Sequence, residues 1–197
     1  MITEYNKFRI DKMKTPNDGN RTLFESIVHV EVIKALEDWI TLNVDNCVLI
    51  GGIALSYYVT PRMTQDVDML FLTKNDIPLS LKGFKKTRNG AFQHNKTHVE
   101  VEVITPQSIN LRDDLAKQIF KTAIKNNNIC VASPEGLIFS KLGRFSKQDQ
   151  ADIENILFSQ KIDLSNFNLT EEELEKFNKL KEETIILMKK LKMKKIN

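Results

Sequence analysis

Two aspartates separated by one residue, Asp66 and Asp68, are the side chains with the clearest chemical potential in this sequence. They begin the segment Asp66-Val67-Asp68-Met69-Leu70-Phe71-Leu72, whose apolar residues predict a strand. Alternation along a strand sends both carboxylates to one face, where they repel each other unless a cation lies between them. Because carboxylate oxygens suit Mg²⁺ or Mn²⁺, the pair predicts a metal site. The alternative interpretation is a solvated strand end.

Two adjacent glycines, Gly51 and Gly52, precede the aspartates. The apolar run 46–50 before them predicts a buried strand, and 53–59 predicts a short helix that Pro61 ends. Because glycine has no Cβ, the backbone can turn sharply there and a phosphate can approach the amides closely. The N–H groups at the start of the helix would face the same anion. This arrangement predicts a site for a metal-bound triphosphate.

A third acid is available in the segment 97–104, which alternates polar and apolar residues. The alternation predicts a half-buried strand with His98, Glu100 and Glu102 on its polar face. One glutamate can complete a triad with the aspartates and help to deprotonate an attacking hydroxyl. Glu102 is preferred because it lies nearer the apolar end of the strand. Glu100 is the alternative, His98 is expected to be exposed, and an ordinary amphipathic edge strand is the competing interpretation.

A lysine in an apolar setting follows further along the chain. Ser133 and Pro134 have the types expected at the N-cap and first position of a helix. On that helix Lys141 falls close to the apolar stripe, where its ammonium group requires an anion. The alternative is that its side chain extends to solvent.

Further charged residues surround these segments. Arg144 lies one turn beyond the lysine, and Asp149 and Asp152 are spaced three apart on the next predicted helix, where both fall on one surface. Arg62 lies in the loop before the aspartates. Because arginine forms bidentate hydrogen bonds with phosphate or carboxylate, Arg62 either holds phosphates or braces the aspartate loop.

Together these motifs resemble the DNA polymerase β-type nucleotidyltransferase superfamily, in particular its AbiEii-like and MenT-like branch, over roughly residues 45 to 160. The residues that carry the resemblance are Gly51-Gly52, Arg62-x-Thr64-x-Asp66-x-Asp68, Glu102, Lys141 and Asp149-x-x-Asp152. The resemblance implies that Asp66, Asp68 and Glu102 bind divalent metal, that the glycine turn contacts nucleotide phosphates, and that Lys141 steadies the triphosphate. It also makes Arg62, Thr64, Arg144 and Asp152 candidate nucleotide contacts.

The sequence departs from the family pattern at three places. One residue is inserted between Lys147 and Asp149, so Asp152 corresponds to the family's late motif more safely than Asp149 does. The glycine pair replaces a common glycine–serine pair. Glu102 stands where many relatives have aspartate.

The resemblance implies an enzyme that transfers a nucleotide from an NTP to an acceptor hydroxyl and releases pyrophosphate. The acceptor would be RNA such as a tRNA end, a protein or a small molecule. A toxin–antitoxin or phage-defence role, with an antitoxin protein as partner, is implied as well. The alternative is a catalytically silent nucleotidyltransferase fold that binds a nucleotide or a partner. The adjacent acids Asp66 and Asp68 favour the enzyme, because a silent site has no physical need for two repelling carboxylates.

The order of elements predicts an α/β (α+β) fold, a mixed β-sheet flanked by helices with a C-terminal helical extension. The 197 residues suit a nucleotidyltransferase core over 1–132, with an N-terminal covering helix, and a helical region over 133–197 that completes the nucleotide site. Capping boxes predict the starts of two further helices: one runs from Thr22 and Glu25 to about Leu42, and the other from 169–173 to about residue 193. A turn at Arg88-Asn89-Gly90 predicts a strand on either side of it. Between these regions we expect a helix over about 107–125 and a strand over 129–132.

Composition restricts the setting. Cys47 and Cys130 have no zinc-type spacing and lie in apolar runs, so they are expected to be buried, reduced thiols of a cytoplasmic protein. Neither a signal peptide nor a long apolar span is recognised, which gives no support to secretion or to a membrane. The lysines near the end of the last helix match its macrodipole, or alternatively attract RNA phosphates. A net charge of only +3 gives the second interpretation little support.

Overall fold

A computed structural model describes residues 28–60, 62–126 and 128–194, with the side chains of 191–194 left out of the description. Its seven strands form one mixed sheet in the order β3-β4-β5-β2-β1-β7-β6. The strands are β1 (Cys47–Ile50), β2 (Val67–Phe71), β3 (Phe84–Lys86), β4 (Phe92–His94), β5 (Glu100–Ile104), β6 (Ile124–Asn126) and β7 (Ile129–Val131). The helices are α1 (Val30–Thr41), α2 (Gly51–Leu55), α3 (Asp113–Thr122), α4 (Pro134–Leu142), α5 (Lys147–Ser159) and α6 (Glu171–Lys194). The predicted mixed sheet with flanking helices is confirmed.

The centre of the sheet is formed by strands whose side chains are buried on both faces. All four residues of β1 are buried, and so are four of the five residues of β2. β2 runs antiparallel to β1 and parallel to β5, and β1 runs parallel to β7. The mostly apolar side chains of these strands are shielded from water only when both faces of the sheet are covered. Asp68 is the polar residue within β2 and is only partly buried, so the candidate site begins at this position of an otherwise apolar strand.

Helix α1 covers one face of the sheet, as predicted for the N-terminal helix. Its Trp39 packs edge-on against Phe84, with ring centroids 5.6 Å apart, and against Phe92 at 5.9 Å. The imidazole of His94 lies 3.1 Å from the carboxylate of Asp38 on the same helix. These contacts fix the hairpin of β3 and β4 to α1. The predicted capping box of this helix at Thr22 lies outside the described residues. The described helix begins at Val30 with His29 as its N-cap, so the prediction that residues 28 and 29 are helical is wrong.

Helices α3 to α6 pack on one another and build the C-terminal region. The predicted cap of α4 is confirmed, because the Ser133 hydroxyl accepts a hydrogen bond from the Gly136 amide at 3.1 Å. The predicted cap of α6 is also confirmed, because the Thr170 hydroxyl accepts from the Glu173 amide at 3.2 Å. Phe139 of α4 stacks against Phe167, which precedes α6, at 4.5 Å between centroids.

Three further predicted elements have different bounds. A helix is present within the predicted range 107–125, but its predicted bounds are wrong: a 3₁₀ turn, Pro106–Ile109, ends at a left-handed Asn110, and the α-helix spans only Asp113–Thr122. Its predicted last turn belongs to β6, because Ile124–Asn126 pairs with β7. This pairing satisfies backbone groups that a longer helix would have satisfied locally.

The other two differences lie at the site. The helix predicted over 53–59 begins at Gly51 and ends at Leu55. The strand predicted from Thr97 begins at Glu100, because His98 has a left-handed backbone, with φ of 60°, in the turn between β4 and β5. The edge-strand interpretation is also wrong, since β5 lies between β4 and β2.

The sequence of α6 predicts an apolar stripe of Leu174, Phe177, Leu180, Ile185, Leu187 and Leu191, and this prediction is only partly correct. Phe177 and Leu180 are buried, whereas Leu174, Ile185 and Leu187 are each more than 40% exposed.

Cys47 is buried and Cys130 is partly buried, and both are free thiols. Burial raises the pKa of Cys47 to about 12. Within the described residues no helix has the length and apolarity needed to cross a membrane.

Candidate active site

Three carboxylates meet where β2 and β5 lie side by side. Asp66 directly precedes β2, Asp68 lies within it, and the parallel register places Asp68 opposite Glu102 of β5. One oxygen of each side chain lies within 4.8 Å of the others. We call Asp66, Asp68 and Glu102 the carboxylate cluster. The register explains the grouping, because paired residues of neighbouring strands project to the same face.

The carboxylate cluster is electrostatically unfavourable by itself. Desolvation, followed by the charges of Asp66 and Glu102, raises the pKa of Asp68 to about 7. Desolvation and the neighbouring carboxylates of Asp66 and Glu100 also raise the pKa of Glu102. A cation placed among the three groups would remove this penalty. The donor set consists of hard carboxylate oxygens, so the residues present fit Mg²⁺ or Mn²⁺.

The glycine turn touches the carboxylate cluster directly. Gly51 has φ of +69°, and a Cβ built on it would lie 1.7 Å from Oδ2 of Asp68. A Cβ on Gly52 would lie 2.9 Å from the hydroxyl oxygen of Thr64. An interaction with the Gly52 backbone N–H partly offsets the raised pKa of Asp68. The glycines therefore make room for Asp68 and the aspartate loop, in addition to any phosphate that approaches the turn.

Thr64 holds the first aspartate in position. Its side chain is buried, and its hydroxyl donates a hydrogen bond to Oδ1 of Asp66 at 2.9 Å. A threonine two residues before an aspartate can form this short-range bond without distorting the strand that follows. Thr64 is therefore placed to orient a carboxylate of the cluster.

Asp152 is the centre of a second group of charges. It is fully buried and accepts two hydrogen bonds from the guanidinium of Arg62, at 3.0 and 3.1 Å. Lys141 donates to it at 2.8 Å and the Gln148 amide at 3.1 Å. Burial would raise the pKa of Asp152, but the bonds from Arg62 and Lys141 outweigh it and lower the pKa. The anion that Lys141 requires is thus Asp152.

Asp149 binds a third cation in a similar way. Arg144 donates two hydrogen bonds to its carboxylate, both at 2.8 Å, and the Ser146 hydroxyl donates at 2.7 Å. Burial would raise the pKa of Asp149, but these bonds hold it well below its usual range. Ser146 is also the N-cap of α5, so Asp149 closes a capping box. We call Arg62, Lys141, Arg144, Asp149 and Asp152 the buried charge network.

The two cations nearest the carboxylate cluster differ in exposure. The Lys141 side chain is 6% exposed and its ammonium lies among the acids of α5. The Arg144 side chain is 63% exposed, and its charge acts on both Asp68 and Glu102. An incoming anion can therefore reach the guanidinium of Arg144 more easily than the ammonium of Lys141.

The structure brings most of the predicted site residues together. Gly51, Gly52, Thr64, Asp66, Asp68 and Glu102 form one group, and Arg62, Lys141, Arg144 and Asp152 form the adjoining one. Glu100 is outside the carboxylate cluster, which favours Glu102 as the third acid. Of the two roles proposed for Arg62, the geometry favours bracing, because its guanidinium binds Asp152. Sequence reasoning missed Gln148 and Ser146, and the Ser-x-x-Asp spacing of a capping box was the available signal for Ser146.

One comparison with known proteins identifies a related family. The model of a family described as "nucleotidyltransferase of unknown function (DUF6036)" matches residues 28–195. This range contains both the carboxylate cluster and the buried charge network. No curated protein matches the chain.

Proposed function

Because the chain belongs to this family of nucleotidyltransferases, we propose that it transfers a nucleotide from an NTP to an acceptor hydroxyl with the help of Mg²⁺ or Mn²⁺. The observation that carries the proposal is the carboxylate cluster beside a glycine turn. Asp66, Asp68 and Glu102 would hold the metal. A bound divalent cation would neutralise phosphate oxygens and make the acceptor hydroxyl easier to deprotonate.

The reaction is an in-line displacement at the α-phosphorus. A bond forms from the acceptor oxygen to phosphorus, the bond to the pyrophosphate oxygen breaks, and the hydroxyl proton moves to a base. We assign that proton to Glu102. Its carboxylate is the exposed member of the cluster and is therefore the one that an acceptor hydroxyl can approach.

The triphosphate would be met by groups that are still accessible. Arg144 presents an exposed guanidinium beside the carboxylate cluster, and the glycine turn allows a close approach of the phosphates. Arg62 and Lys141 are already hydrogen-bonded to the buried Asp152 carboxylate. We therefore propose that Arg62, Lys141 and Asp152 hold α5 and Arg144 in position. Their effect on the nucleotide would then be indirect, through Arg144.

The acceptor classes implied by the resemblance are RNA or tRNA, protein and small molecules. An AbiEii-like or MenT-like toxin with an antitoxin partner is the narrower form of the proposal. It predicts that expression of the active protein alone arrests growth, and that a cluster variant does not.

The test is label transfer with matched variants. Purified protein is incubated with each NTP labelled at the α-phosphate, Mg²⁺ or Mn²⁺, and cellular RNA plus protein extract. Asp68→Asn and Glu102→Gln should abolish labelling, whereas Glu100→Gln should retain it. Glu100 is the matched control because it is a glutamate on the same face of the same strand but outside the cluster.

The possible results separate the proposals. Labelling that survives Asp68→Asn would refute the metal assignment. If labelling is lost with Glu100→Gln and retained with Glu102→Gln, then Glu100 and not Glu102 is the third acid of the site. Absence of labelling, together with NTP binding measured by calorimetry, would favour the silent nucleotide-binding module or a small-molecule acceptor.

A further inference from the structure

The hairpin of β3 and β4 carries several basic residues and no acidic ones. From Ile77 through Val99 the sequence contains no aspartate or glutamate, but it contains four lysines and one arginine. All five side chains are exposed. We call this set the basic edge, which consists of Lys82, Lys85, Lys86, Arg88 and Lys96. Among the residues that the structure describes, none of the five has an acidic partner within ion-pair distance.

The sheet connects the basic edge to the carboxylate cluster. Lys85 of β3 pairs with Gln93 of β4, and Gln93 pairs with Glu100 of β5. Paired residues share a face and residues two apart on a strand share a face, so Lys85 lies on the same face as Glu102. Strands are spaced about 4.8 Å apart, so two steps separate this edge from Glu102 by about 10 Å.

The basic edge is also held rigidly. The opposite face of the hairpin packs on Trp39 through Phe84 and Phe92, and His94 lies beside Asp38. β3 itself has only three residues, Phe84–Lys86, and is about 10 Å long at the usual rise of a strand. Lys82 and Arg88 lie in the turns at its two ends, and Lys96 lies in the turn that follows β4. The Lys86 ammonium lies over the Phe92 ring on the opposite face, 5.3 Å from its centroid, so Lys85 and the turn residues are the cations on the side of the site. An arrangement of this length matches two or more consecutive phosphates of a polynucleotide.

Edge strands often carry lysine to prevent pairing with another chain, which is the simplest alternative explanation. The other edge of this sheet provides a comparison. β6 presents a single basic residue, Lys125, over its three positions. β3 presents two basic residues over the same number of positions, Lys85 and Lys86, and three further cations lie in the turns beside it. This edge therefore carries more positive charge than the β6 edge does.

We propose that the basic edge binds the phosphodiester backbone of a single-stranded nucleic acid and directs it along β4 and β5 toward the carboxylate cluster. This inference rests on the proposed function, because it names the acceptor class of that transfer. Phosphate contacts of this kind fix position without reading sequence. RNA and DNA share the backbone chemistry, so the two are separated by experiment.

The test measures binding as a function of salt. Fluorescence anisotropy with a short labelled RNA, and with DNA of the same sequence, is recorded over a series of NaCl concentrations. The test variant is Lys82→Gln/Lys85→Gln/Arg88→Gln, and the control is Lys117→Gln/Lys121→Gln/Lys125→Gln. The control removes the same charge from exposed lysines on α3 and β6, at the other side of the sheet.

The expected effect follows from counterion release. Each phosphate contact to a single strand contributes about 0.7 to the slope of log K against log salt, so loss of three contacts should lower the slope by about 2. At about 0.1 M salt the same loss weakens binding about 100-fold. The control variant should bind as the wild type does. Tighter binding of RNA than DNA would identify RNA as the source, and equal binding would indicate backbone contacts alone.

Equal slopes for the test and control variants, or no binding of RNA or DNA by the wild type, would overturn the inference and leave edge protection as the role of these lysines. Calorimetry of NTP binding with Mg²⁺ is run on the same samples. Nucleic-acid binding without NTP binding would refute the proposed function and leave the basic edge as a binding surface. Thermal unfolding confirms that each variant is folded.

Discussion

Substitution of Gly51 tests whether the glycine turn exists to make room for Asp68. An added Cβ would lie 1.7 Å from Oδ2 and 2.8 Å from Cβ of Asp68. Rotation of the carboxylate relieves the first overlap but not the second, so the side chain of Asp68 has to move away as a whole. Gly51→Ala should therefore pull one ligand out of the carboxylate cluster.

Gly51→Ala combines backbone strain at a positive φ with the displacement of Asp68, and a control variant separates these two effects. An L-residue at positive φ is strained by roughly 1–2 kcal/mol, which for a protein of this size lowers Tm by about 2–8 °C. Gly90 has φ of +89° and no atom within 4 Å of a built Cβ. Gly90→Ala should thus show the backbone strain alone. Displacement of the ligand should weaken metal binding by roughly 10- to 100-fold in Gly51→Ala, as found when residues that support a metal ligand are changed.

The assay combines thermal unfolding with titration of Mn²⁺ followed by electron paramagnetic resonance. We expect Tm to fall in both variants, at least as far in Gly51→Ala as in Gly90→Ala, because the overlap with Asp68 adds to the backbone strain. A loss of Mn²⁺ affinity and label transfer is expected only for Gly51→Ala. If Gly51→Ala binds Mn²⁺ as tightly as Gly90→Ala, then Asp68 is not a ligand at this position, and the assignment of the site is wrong.

Three further predictions concern the charged groups. The folded-state pKa of Asp68 is raised, so the metal-free protein binds more protons than the unfolded chain between pH 3.8 and about 7, and its stability falls as pH rises through that window. Asp68→Asn should remove this decline and raise Tm in EDTA near neutral pH while abolishing transfer; an unchanged pH profile would count against the raised pKa. Asp152→Asn should cost about 3 kcal/mol of unfolding free energy, measured with urea, because the buried Lys141 ammonium loses its closest carboxylate and Arg62 loses its bidentate partner. Glu154→Gln on the same helix is the control, and equal losses would refute the argument. Arg144→Gln should weaken NTP binding about tenfold or more and should also lower stability, because it removes the bidentate partner of the buried Asp149 carboxylate. Lys141→Met should lower stability without a comparable loss of NTP affinity. Calorimetry and urea unfolding of both variants test this, and loss of NTP affinity with Lys141→Met but not with Arg144→Gln would return the triphosphate to Lys141.

The elements with strong periodicity were predictable from the sequence because their local signals agree with the tertiary structure. The central strands follow from short apolar runs, and the caps of α4 and α6 follow from the Ser133 and Thr170 signatures. The region 107–125 was not predictable in this way. Its helix ends early because Ile124–Asn126 forms strand pairs with β7, and a local pattern does not contain that long-range pairing.

The candidate site shows the same division between local and distant information. The spacing of Asp66 and Asp68 was enough to predict that they share a face, and alternation was enough to offer Glu100 and Glu102. The choice between these two depends on strand register, which places Glu102 opposite Asp68. The partner of Lys141 was equally hidden, because Asp152 reaches it only through the packing of α5 on α4.

The charges of the two groups explain why they adjoin. Arg62, Lys141 and Arg144 contribute three positive charges against the two negative charges of Asp149 and Asp152, which leaves +1 on the buried charge network. The fully ionised carboxylate cluster carries −3, so the site as a whole carries −2. One divalent cation would bring this sum to zero, and a second, bound to an incoming triphosphate, would offset part of the charge of that triphosphate. In the metal-free protein, protonation relieves both the desolvation of Asp68 and its repulsion by Asp66 and Glu102, which is why the pKa of Asp68 is raised.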